Sequence, residues 1–284
     1  MSFREFNSKK LDIKSIHHLL ISGVSPRPIA WVGSVDKNGN NNLAPFSFFN
    51  AFGANPPIIG FSPALSGRTG LPKDSLLNVK ETKEFTVSVV DDKLVEQASL
   101  SSCEYSKNID EFVKAGVTKH PSVKIKPFSV KESPFIMECK LYKIIELGNK
   151  PASGNLILGE VVYFHINESI LEKENIINPY KINQVARSGG SWYVESAKGL
   201  FNLKKPKCNG IGFDNLPSIL FNGKLSKNEL AKLSSIDEIP ALSKNDKNTI
   251  VNKNDIFTEI KNSLKNNNLL EAWKFVNKLN IINE

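Results

Sequence analysis

The sequence has no apolar run of about 18 residues, the minimum for a transmembrane helix, so we expect no membrane-spanning segment. Its opening residues, MSFREFNSKKLDIKSI, contain neither an apolar stretch nor a small-residue cleavage site, and a secretory signal is not expected there. These two absences predict a cytoplasmic protein that does not associate with a membrane.

Cysteine and histidine are scarce, with three and four residues respectively. The cysteines are odd in number and form no CxxC pair, and the histidines show no HxxxH spacing. A disulfide framework, a zinc site or another structural metal is therefore not expected. Cys139 falls in an alternating apolar pattern, which predicts a buried residue.

Several nucleotide-binding and nucleophile motifs are missing. There is no GxGxxG after a strand, no GxxxxGK[ST] and no GxSxG. The first two absences argue against a dedicated nucleotide-binding fold. The third argues against a nucleophile of the α/β-hydrolase type.

Concentrated basic stretches are also missing, although the net charge is +8. Residues 205–284 hold 12 Lys and 9 acidic residues, and the rest of the chain holds 25 basic and 20 acidic residues. Because the excess charge is spread along the chain, we expect a mildly basic, solvated surface and no nucleic-acid partner.

What the sequence does contain is a series of short apolar segments separated by turns. A chain of 284 residues fits one large domain, or one domain with an appendage. The first 200 residues hold about six strand-like segments without regular strand–helix alternation. This order favours a mainly β fold with helices (α+β), pictured as a closed antiparallel barrel with inserted helices, over a doubly wound sheet.

The predicted strands follow one another closely. They are Ile29–Val35, Leu43–Phe52, Pro57–Phe61, Glu84–Val90, Pro134–Leu147 and Asn155–Asn167. Asn38-Gly39 predicts a hairpin between the first two, and Gly159 predicts a bulge or a close backbone approach. Helices are predicted at Leu11–Ile21, Ser75–Lys83, Leu94–Leu100 and Asp110–Ala115.

The composition changes near Leu203, so we divide the chain into a domain at 1–203 and an extension at 204–284. Lys204–Lys207 resembles a linker, and residues 245–254 are polar enough for a loop. Asp255 would cap a helix at Ile256–Leu264. A second helix, Leu269–Leu279, has an apolar stripe of Leu270, Trp273, Val276 and Leu279. The extension would either pack on the barrel or a dimer partner, or form a lid over a ligand site.

One early stretch, Ser25–Pro63, combines small and hydroxyl residues with aromatics and carries almost no charge. Its segment 42–48 could offer backbone amides, a hydroxyl and apolar contact to a flat ring with polar edges. Alternatively, its phenylalanines are core residues and its serine is satisfied internally. The residues alone leave both interpretations open.

Two further segments are suited to anions. Lys73-Asp74-Ser75 precedes a predicted helix, where a charge, a hydroxyl and free amides could hold a phosphate; the same residues could be an ordinary capped helix start. The segment 186–193 contains Arg187 and two glycines, which fit an anion-binding backbone nest or simply a flexible turn.

Four segments together resemble the flavin reductase-like family, the FMN-binding split barrels. They are SPRPIAWVGSVDKNGNNNLAPFSFFN, KDSLLNVKET followed by EFTVSVV, ESPFIMECKL with GEVVYFHI, and ARSGGSWY. The resemblance covers roughly residues 10–195. It implies an antiparallel FMN-binding split β-barrel with inserted helices, here with a helical C-terminal extension. It also implies a homodimer that binds FMN non-covalently near the subunit interface.

The resemblance further implies a set of cofactor-binding residues from several parts of the chain. They are Arg27, Asn42, Ala44, Pro45, Phe46, Ser47, Phe48, Ser62, Lys73, Asp74, Ser75, Asn78, Arg187, Ser188, Gly189, Gly190, Trp192 and Tyr193. Lys73, Asp74 and Ser75 would hold the FMN phosphate. His165 would either face a nicotinamide or be an ordinary strand histidine, and no other catalytic residue is predicted.

Several activities fit this resemblance. An NAD(P)H:flavin oxidoreductase would stack NADH or NADPH on the flavin and transfer hydride to its N5. Reduced flavin would then serve a partner monooxygenase or another electron acceptor. A flavoredoxin-like electron carrier that does not use NAD(P)H, or a flavin-binding protein without turnover, would fit the same residues.

Overall fold

A computed structural model describes residues 2–203, 205–206, 209–241 and 253–283. The chain divides into two compact units, Met1–Phe201 and Asn202–Glu284. No helix among the described residues has the length and apolar character to span a bilayer.

Unit 1 contains twelve strands, and every pairing between them is antiparallel. They are β1 (Arg27–Pro28), β2 (Ala30–Val35), β3 (Asn41–Phe46), β4 (Phe49–Ala54), β5 (Pro57–Phe61), β6 (Glu84–Val89), β7 (Lys119–His120), β8 (Ser129–Val130), β9 (Phe135–Glu146), β10 (Asn155–Ile166), β11 (Val185–Arg187) and β12 (Tyr193–Glu195). Unit 1 also contains five α-helices: α1 (Ile13–Gly23), α2 (Asp74–Thr82), α3 (Val95–Leu100), α4 (Glu111–Ala115) and α5 (Pro179–Ile182). This combination confirms the predicted α+β class.

The main sheet has seven strands in the order β3-β2-β6-β9-β10-β5-β4. Its two edges, β3 and β4, are not joined by a ladder in the described residues, so the closed barrel expected from the strand pattern is not formed. A separate three-stranded sheet has the order β1-β11-β12.

The chain enters the main sheet through a hairpin whose turn is fixed locally. The Asp36 carboxylate accepts hydrogen bonds from the backbone amides of Asn38 and Asn40, both at 2.9 Å. Gly39 takes a φ of +88°, which favours glycine. The hairpin predicted from Asn38-Gly39 therefore joins β2 and β3.

The predicted strand Leu43–Phe52 is wrong as one element, because it is divided between β3 and β4. β3 pairs with β2 at one edge of the sheet, whereas β4 pairs with β5 at the other edge. The chain leaves one ladder and joins the other at Ser47-Phe48, where neither ladder continues. A run of apolar residues does not show such a crossing.

Gly159 in β10 is both a bulge and a close-approach site. The β9–β10 register shifts between Leu158 and Gly159. A Cβ at Gly159 would lie 2.3 Å from the ring of Phe85, far inside van der Waals contact. Glycine is therefore required for Phe85 to pack in the core.

Two apolar clusters lie in unit 1 and set the geometry of the site. One joins α2 to the sheet through residues such as Leu76, Val79 and Phe85. The other packs α3 and α4 against β2 and β3 and contains Trp31 and Phe112. Trp31 also donates from Nε1 to Ser101 Oγ at 2.8 Å, which holds the end of α3 close to the sheet.

Unit 2 is helical, with α6 (Lys227–Leu233), α7 (Lys253–Lys265) and α8 (Leu269–Asn283). Trp273, Val276 and Leu279 are fully buried in a cluster of this unit's own residues, and Trp273 Nε1 donates to the Leu233 carbonyl at 2.9 Å. Leu270, predicted to share their stripe, is exposed, and Ala272 is buried in its place.

Helix α7 begins at Lys253, before its predicted start, so Asp255 lies in its first turn and is not a cap. Most of the predicted polar loop 245–254 lies outside the described residues, as do Lys204 and Lys207 of the predicted linker.

Candidate functional site: a groove along strand β3

A groove of about 610 Å³ runs along β3 in unit 1. Its other walls come from loop 64–73, which precedes α2, and from residues 101–105, which follow α3. Seven of the predicted cofactor-binding residues line it: Asn42, Ala44, Pro45, Phe46, Lys73, Asp74 and Ser75. The structure thus brings the predicted ring-binding strand and the predicted phosphate-binding segment to one cavity.

Helix α2 begins at this groove without a side-chain cap. Lys73 is the N-cap residue, and its side chain makes no capping hydrogen bond. Uncapped amides and the positive end of the helix dipole attract anions. Because Asp74 and Ser75, the first two helical residues, line the groove, this end is suited to a phosphate.

Two cations at the same end share one carboxylate. Lys73 Nζ lies 3.4 Å and Arg68 NH2 3.2 Å from Glu104. The hydrogen bonds and charges of Lys73 and Arg68 lower the pKa of Glu104, so it stays ionised. All three side chains are well exposed, and such ion pairs contribute little to stability. A ligand anion can therefore take the place of Glu104.

A polar network lies behind the groove. Ser75 Oγ donates to Asn42 Oδ1 at 2.7 Å, and Asn42 Nδ2 donates to Glu111 at 3.1 Å. Glu111 also accepts from the Leu43 amide at 3.1 Å, and burial raises its pKa. These bonds fix the Asn42 and Ser75 side chains and anchor β3 to α4, so the strand offers a rigid surface.

A small chamber of about 100 Å³ adjoins the groove, with Pro45 and Ser102 lining both. The predicted residues Ser47, Arg187 and Tyr193 line this chamber and not the groove. Arg187 donates to the Tyr193 hydroxyl at 2.8 Å and to the Gly190 carbonyl at 2.7 Å. A further cavity of about 440 Å³ continues from the chamber, since Val95, Ser99 and Tyr193 line both.

The remaining residues of the predicted glycine segment form a tight turn between β11 and β12. Ser188 N donates to the Trp192 carbonyl at 2.9 Å, and Trp192 N donates to the Gly189 carbonyl at 3.0 Å. Gly189 and Gly190 both have positive φ, at +80° and +48°. The Trp192 side chain is largely exposed. None of these four residues lines the groove or the chamber.

Arg27 is buried beside this turn. Its guanidinium donates to the carbonyls of Ile21 and Val24 at the end of α1 and lies 5.9 Å above the Phe48 ring. Neither Arg27 nor Phe48 lines the groove or the chamber.

Three predicted residues lie elsewhere. Asn78 is buried and donates to Ser34 Oγ at 3.1 Å, so its side chain belongs to the polar network. The Ser62 amide donates to the Phe48 carbonyl, outside the groove lining. His165 contacts the buried carboxylate of Glu138, at 2.7 Å from its Nε2, and lines none of these cavities.

The Glu138 cluster fastens a surface segment to the sheet. The backbone amides of Val123 and Lys124 each donate to the Glu138 carboxylate at 2.7 Å. Burial raises the pKa of Glu138, but these hydrogen bonds and the one from His165 outweigh it, so the net pKa is lowered. The His120 ring lies edge-on to His165 at 5.0 Å, and burial and the charge of His165 lower its pKa.

Part of the groove lining was not predicted from the sequence. The missed residues are Ala64, Leu65, Ser66, Gly67, Arg68, Thr69, Leu71, Pro72, Ser101, Ser102, Cys103, Glu104, Tyr105 and Glu111. The stretch SGRTG before Lys73 carries a signal that could have found some of them, since glycine, hydroxyl and arginine residues suit an anion. Glu111 carries no such signal, because it begins an unremarkable helix.

A second large cavity, of about 710 Å³, is lined almost entirely by apolar residues. Phe49 of β4, Ile58 of β5, Met137 of β9 and Phe164 of β10 contribute to it. Most of edge strand β4 is exposed, including Phe52. Among the described residues, no group of three or more His, Cys, Asp or Glu side chains is arranged to hold a metal ion.

Comparison with known proteins gives this groove a context. The family described as "Flavin reductase like domain" matches residues 22–182 of the chain. An uncharacterized protein of Aquifex aeolicus is 34% identical over 192 residues, which cover 68% of this chain and 95% of the relative.

Two solved structures have a similar fold. Nitrilotriacetate monooxygenase component B from Bacillus cereus has a TM-score of 0.66 and 31% identity over 72% of this chain and 99% of its own. The 2-nitrobenzoate 2-nitroreductase NbaA of Pseudomonas fluorescens has a TM-score of 0.65 and 28% identity over 76% of this chain and 99% of its own.

The family match covers more than half of the chain and includes β3, loop 64–73, α2 and residues 101–105, which together form the groove. The open antiparallel sheet agrees with the predicted split-barrel fold. The chain therefore belongs to the flavin reductase-like family.

Proposed function

We propose that the protein is an FMN-dependent oxidoreductase of the flavin reductase type, with NADH or NADPH as the hydride donor. One observation carries the proposal: the uncapped start of α2, with Lys73 and Arg68 beside it, opens on the same groove as β3. An anion-binding end and a neutral strand surface in one cavity match the two halves of FMN, a phosphate and a flat ring.

At the phosphate end, Lys73 and Arg68 would supply charge, and the amides of Asp74 and Ser75 would supply hydrogen bonds. Glu104 would give up its contacts with the two cations when phosphate enters. The Ser75 hydroxyl already donates to Asn42, so it orients the strand, whereas the helix amides are the donors for the ligand.

Along β3, Ala44, Pro45 and Phe46 would contact the ring. The small side chain of Ala44 and the proline ring of Pro45 leave the strand accessible, and Phe46 adds apolar area. The polar network under Asn42 holds this surface in place, which favours binding because little ordering is required of the protein.

Bound FMN supplies the redox chemistry, since its ring accepts a hydride from reduced nicotinamide. The protein's own task is to order two planar rings at reacting distance and to exclude competing geometries. This task needs no strong acid or base, and we assign that role to no residue of the groove: Glu111 is held by Asn42 and Leu43, and Glu104 pairs with Lys73 and Arg68.

The proposal includes a homodimer. The sheet ends at β4, whose backbone edge is unpaired in the described residues and whose Phe52 is exposed beside the apolar cavity. Exposed apolar edge strands are usually covered by another element or chain. The family resemblance supports a second copy of this chain as that cover.

The electron acceptor is proposed to be a separate enzyme or a small oxidised compound. The Bacillus cereus neighbour is, by its name, component B of nitrilotriacetate monooxygenase, and the Pseudomonas fluorescens neighbour is a 2-nitrobenzoate 2-nitroreductase. These two names support the two kinds of acceptor, and an assay with each kind distinguishes them.

The test begins with binding. Protein freed of ligand is titrated with FMN and with riboflavin, and flavin fluorescence is followed; we expect tight FMN binding that the phosphate strengthens. Oxidation of NADH and NADPH is then measured with FMN present. No FMN binding would overturn the proposal. Binding without oxidation of either nucleotide, but with reduction of the flavin by a protein donor, would show an electron carrier instead.

A further inference from the structure

Two arginines, Arg27 and Arg187, face each other across the β1–β11 ladder, and only Arg187 lines the chamber. Arg27 of β1 and Arg187 of β11 are directly opposite in the antiparallel register, so their side chains share one face. Within the described residues, neither forms an ion pair with a carboxylate. Like charges directly opposite in a sheet are destabilising, so the arrangement needs a cause.

Arg27 is only partly explained by its protein contacts. Its side chain caps the end of α1 through the carbonyls of Ile21 and Val24, where the helix dipole favours a cation. The residue is only 5% exposed, however, and its Nε is buried without a hydrogen-bond partner. Burial and the nearby charge of Arg187 lower its pKa.

Arg187 is held in a fixed orientation at the wall of the chamber. Its two terminal nitrogens donate to the Tyr193 hydroxyl and the Gly190 carbonyl, and its guanidinium lies 4.7 Å from the Tyr193 ring centre. Its Nε, like that of Arg27, is buried without a partner. Serine side chains at positions 47, 99 and 102 line the same chamber.

The two pairs of cations, Lys73 with Arg68 and Arg27 with Arg187, differ in their counter-ions. Lys73 and Arg68 are exposed, where an ion pair contributes least to stability, and yet they share the Glu104 carboxylate. Arg27 and Arg187 carry buried nitrogens, where an uncompensated charge is most costly, and yet no carboxylate of the described residues pairs with them. A ligand anion at the chamber would supply the missing charge and acceptors.

We propose, on the basis of the flavin site proposed above, that Arg187 and Arg27 form a second anion subsite, which binds a phosphate or carboxylate group of the second ligand. Arg187 contacts the anion directly from the chamber wall, and Arg27 adds the second charge behind it. The chamber shares Pro45 and Ser102 with the groove, so an anion there belongs to a molecule that reaches over the flavin-binding strand.

Two kinds of molecule carry such a group. One is the nicotinamide dinucleotide, whose diphosphate would occupy the chamber while the rest extends into the adjoining cavity of about 440 Å³. The other is a small carboxylic acid that accepts electrons. The chamber itself, at about 100 Å³, has room for the anionic group only.

The experiment uses the full-length protein loaded with FMN, at constant ionic strength. Inorganic pyrophosphate and benzoate are titrated separately, and binding is read from the flavin difference spectrum and the shift in unfolding temperature. The test variant is Arg187→Gln. The control is Lys181→Gln. This variant removes a charge from an exposed lysine that precedes Arg187 in the chain and is paired with Glu172. Tyr193→Phe, which removes only a hydroxyl that holds Arg187, serves if Arg187→Gln does not fold.

We expect Arg187→Gln to weaken binding of one probe by about tenfold or more, as loss of a charge-assisted hydrogen bond would, with FMN affinity close to that of the wild type. Lys181→Gln should bind the probe normally, and Tyr193→Phe should weaken it less than Arg187→Gln. Competition of pyrophosphate with NADH or NADPH identifies the dinucleotide as the source of the anion, whereas binding of benzoate alone identifies a carboxylic acid.

Three results would overturn the subsite. Neither probe binds the wild type, or both probes bind Arg187→Gln with the same affinity as the wild type. The third is that Arg187→Gln loses as much FMN affinity as Lys73→Ala, the variant that lacks the lysine proposed to bind the FMN phosphate. The last would assign the arginines to the flavin phosphate. If FMN does not bind at all, the proposed function fails, but the same titrations on flavin-free protein still test whether the arginine pair binds an anion.

Discussion

Replacing Lys73 by alanine should weaken FMN binding while leaving the fold intact. Lys73 lies at the start of α2, lines the groove and pairs with Glu104 at 3.4 Å. Lys80 on the same helix provides a matched control, because it pairs with Glu146 at 2.6 Å and does not line the groove. The two lysine side chains are 43% and 41% exposed, so Lys80→Ala removes the same charge from an equivalent environment.

The size of the effect follows from the contact that is lost. A hydrogen bond to a charged group contributes about 1.5–3 kcal/mol, and each 1.4 kcal/mol changes affinity about tenfold. Lys73→Ala should therefore raise the FMN dissociation constant about 10- to 150-fold. Both variants lose only a surface ion pair, which contributes at most about 1 kcal/mol to stability, so their unfolding midpoints should differ little from that of the wild type.

The assay is fluorescence titration of ligand-free protein with FMN and, separately, with riboflavin. Because riboflavin has no phosphate, Lys73→Ala should bind it as the wild type does, and Lys80→Ala should bind both flavins normally. Equal loss of FMN affinity in the two variants would mean that only general surface charge matters. Equal loss of FMN and riboflavin affinity in Lys73→Ala would place the phosphate away from α2.

Three further experiments test other parts of the structure. FMN should protect exposed Cys103, which lines the groove, from alkylation, as measured by peptide mass spectrometry; unchanged labelling would argue against a flavin there. Glu138→Gln should cost about 3 kcal/mol in urea unfolding, because both amide bonds lose their charge and the glutamine NH2 cannot accept one of them. Glu84→Gln alters a single, more exposed bond to the same segment, from the Lys126 amide, and should cost under about 1 kcal/mol. The pKa of Glu138 is lowered on folding. The stabilisation by its carboxylate is therefore present above the unfolded pKa of about 4.3 and is lost as pH falls through the folded pKa. The wild type and Glu138→Gln should thus converge in stability in acid. A chain ending at Phe201 should fold and bind FMN normally, because every residue of the groove lies before that point; loss of FMN binding would show that unit 2 supports the site.

Elements with local signals were predictable from the sequence. The hairpin at Asp36–Gly39 is fixed by side-chain and backbone bonds within five residues. Helix α2 and the long strands β9 and β10 are also encoded in their own residues, although α2 begins at Asp74, one residue before its predicted start at Ser75. In each case the interaction that determines the structure acts over a short stretch of chain.

What could not be predicted depends on where distant segments meet. Residues 101–105 line the groove because the packing of α3 against β2 and β3, with the Trp31–Ser101 hydrogen bond, places them there. Asn78 belongs to the cofactor-binding set that the family resemblance implies, and it lies one helical turn after Ser75. The structure instead directs Asn78 to Ser34, which is buried on β2.

The net charge of the chain does not indicate where a ligand binds, whereas the partners of individual cations do. At one end of the groove, Glu104 pairs with two exposed cations, Lys73 and Arg68, and in the proposed function the FMN phosphate replaces it. No carboxylate among the described residues compensates Arg187, which lines the chamber, or Arg27, its partner across the β1–β11 ladder. A site that binds two ligands in turn can use both arrangements. The first lets a resident cofactor exchange with an internal anion at little cost, and the second makes the arrival of the second ligand the step that stabilises the arginines. The second ligand should therefore raise the unfolding temperature of the FMN-loaded protein, and that rise should disappear in Arg187→Gln.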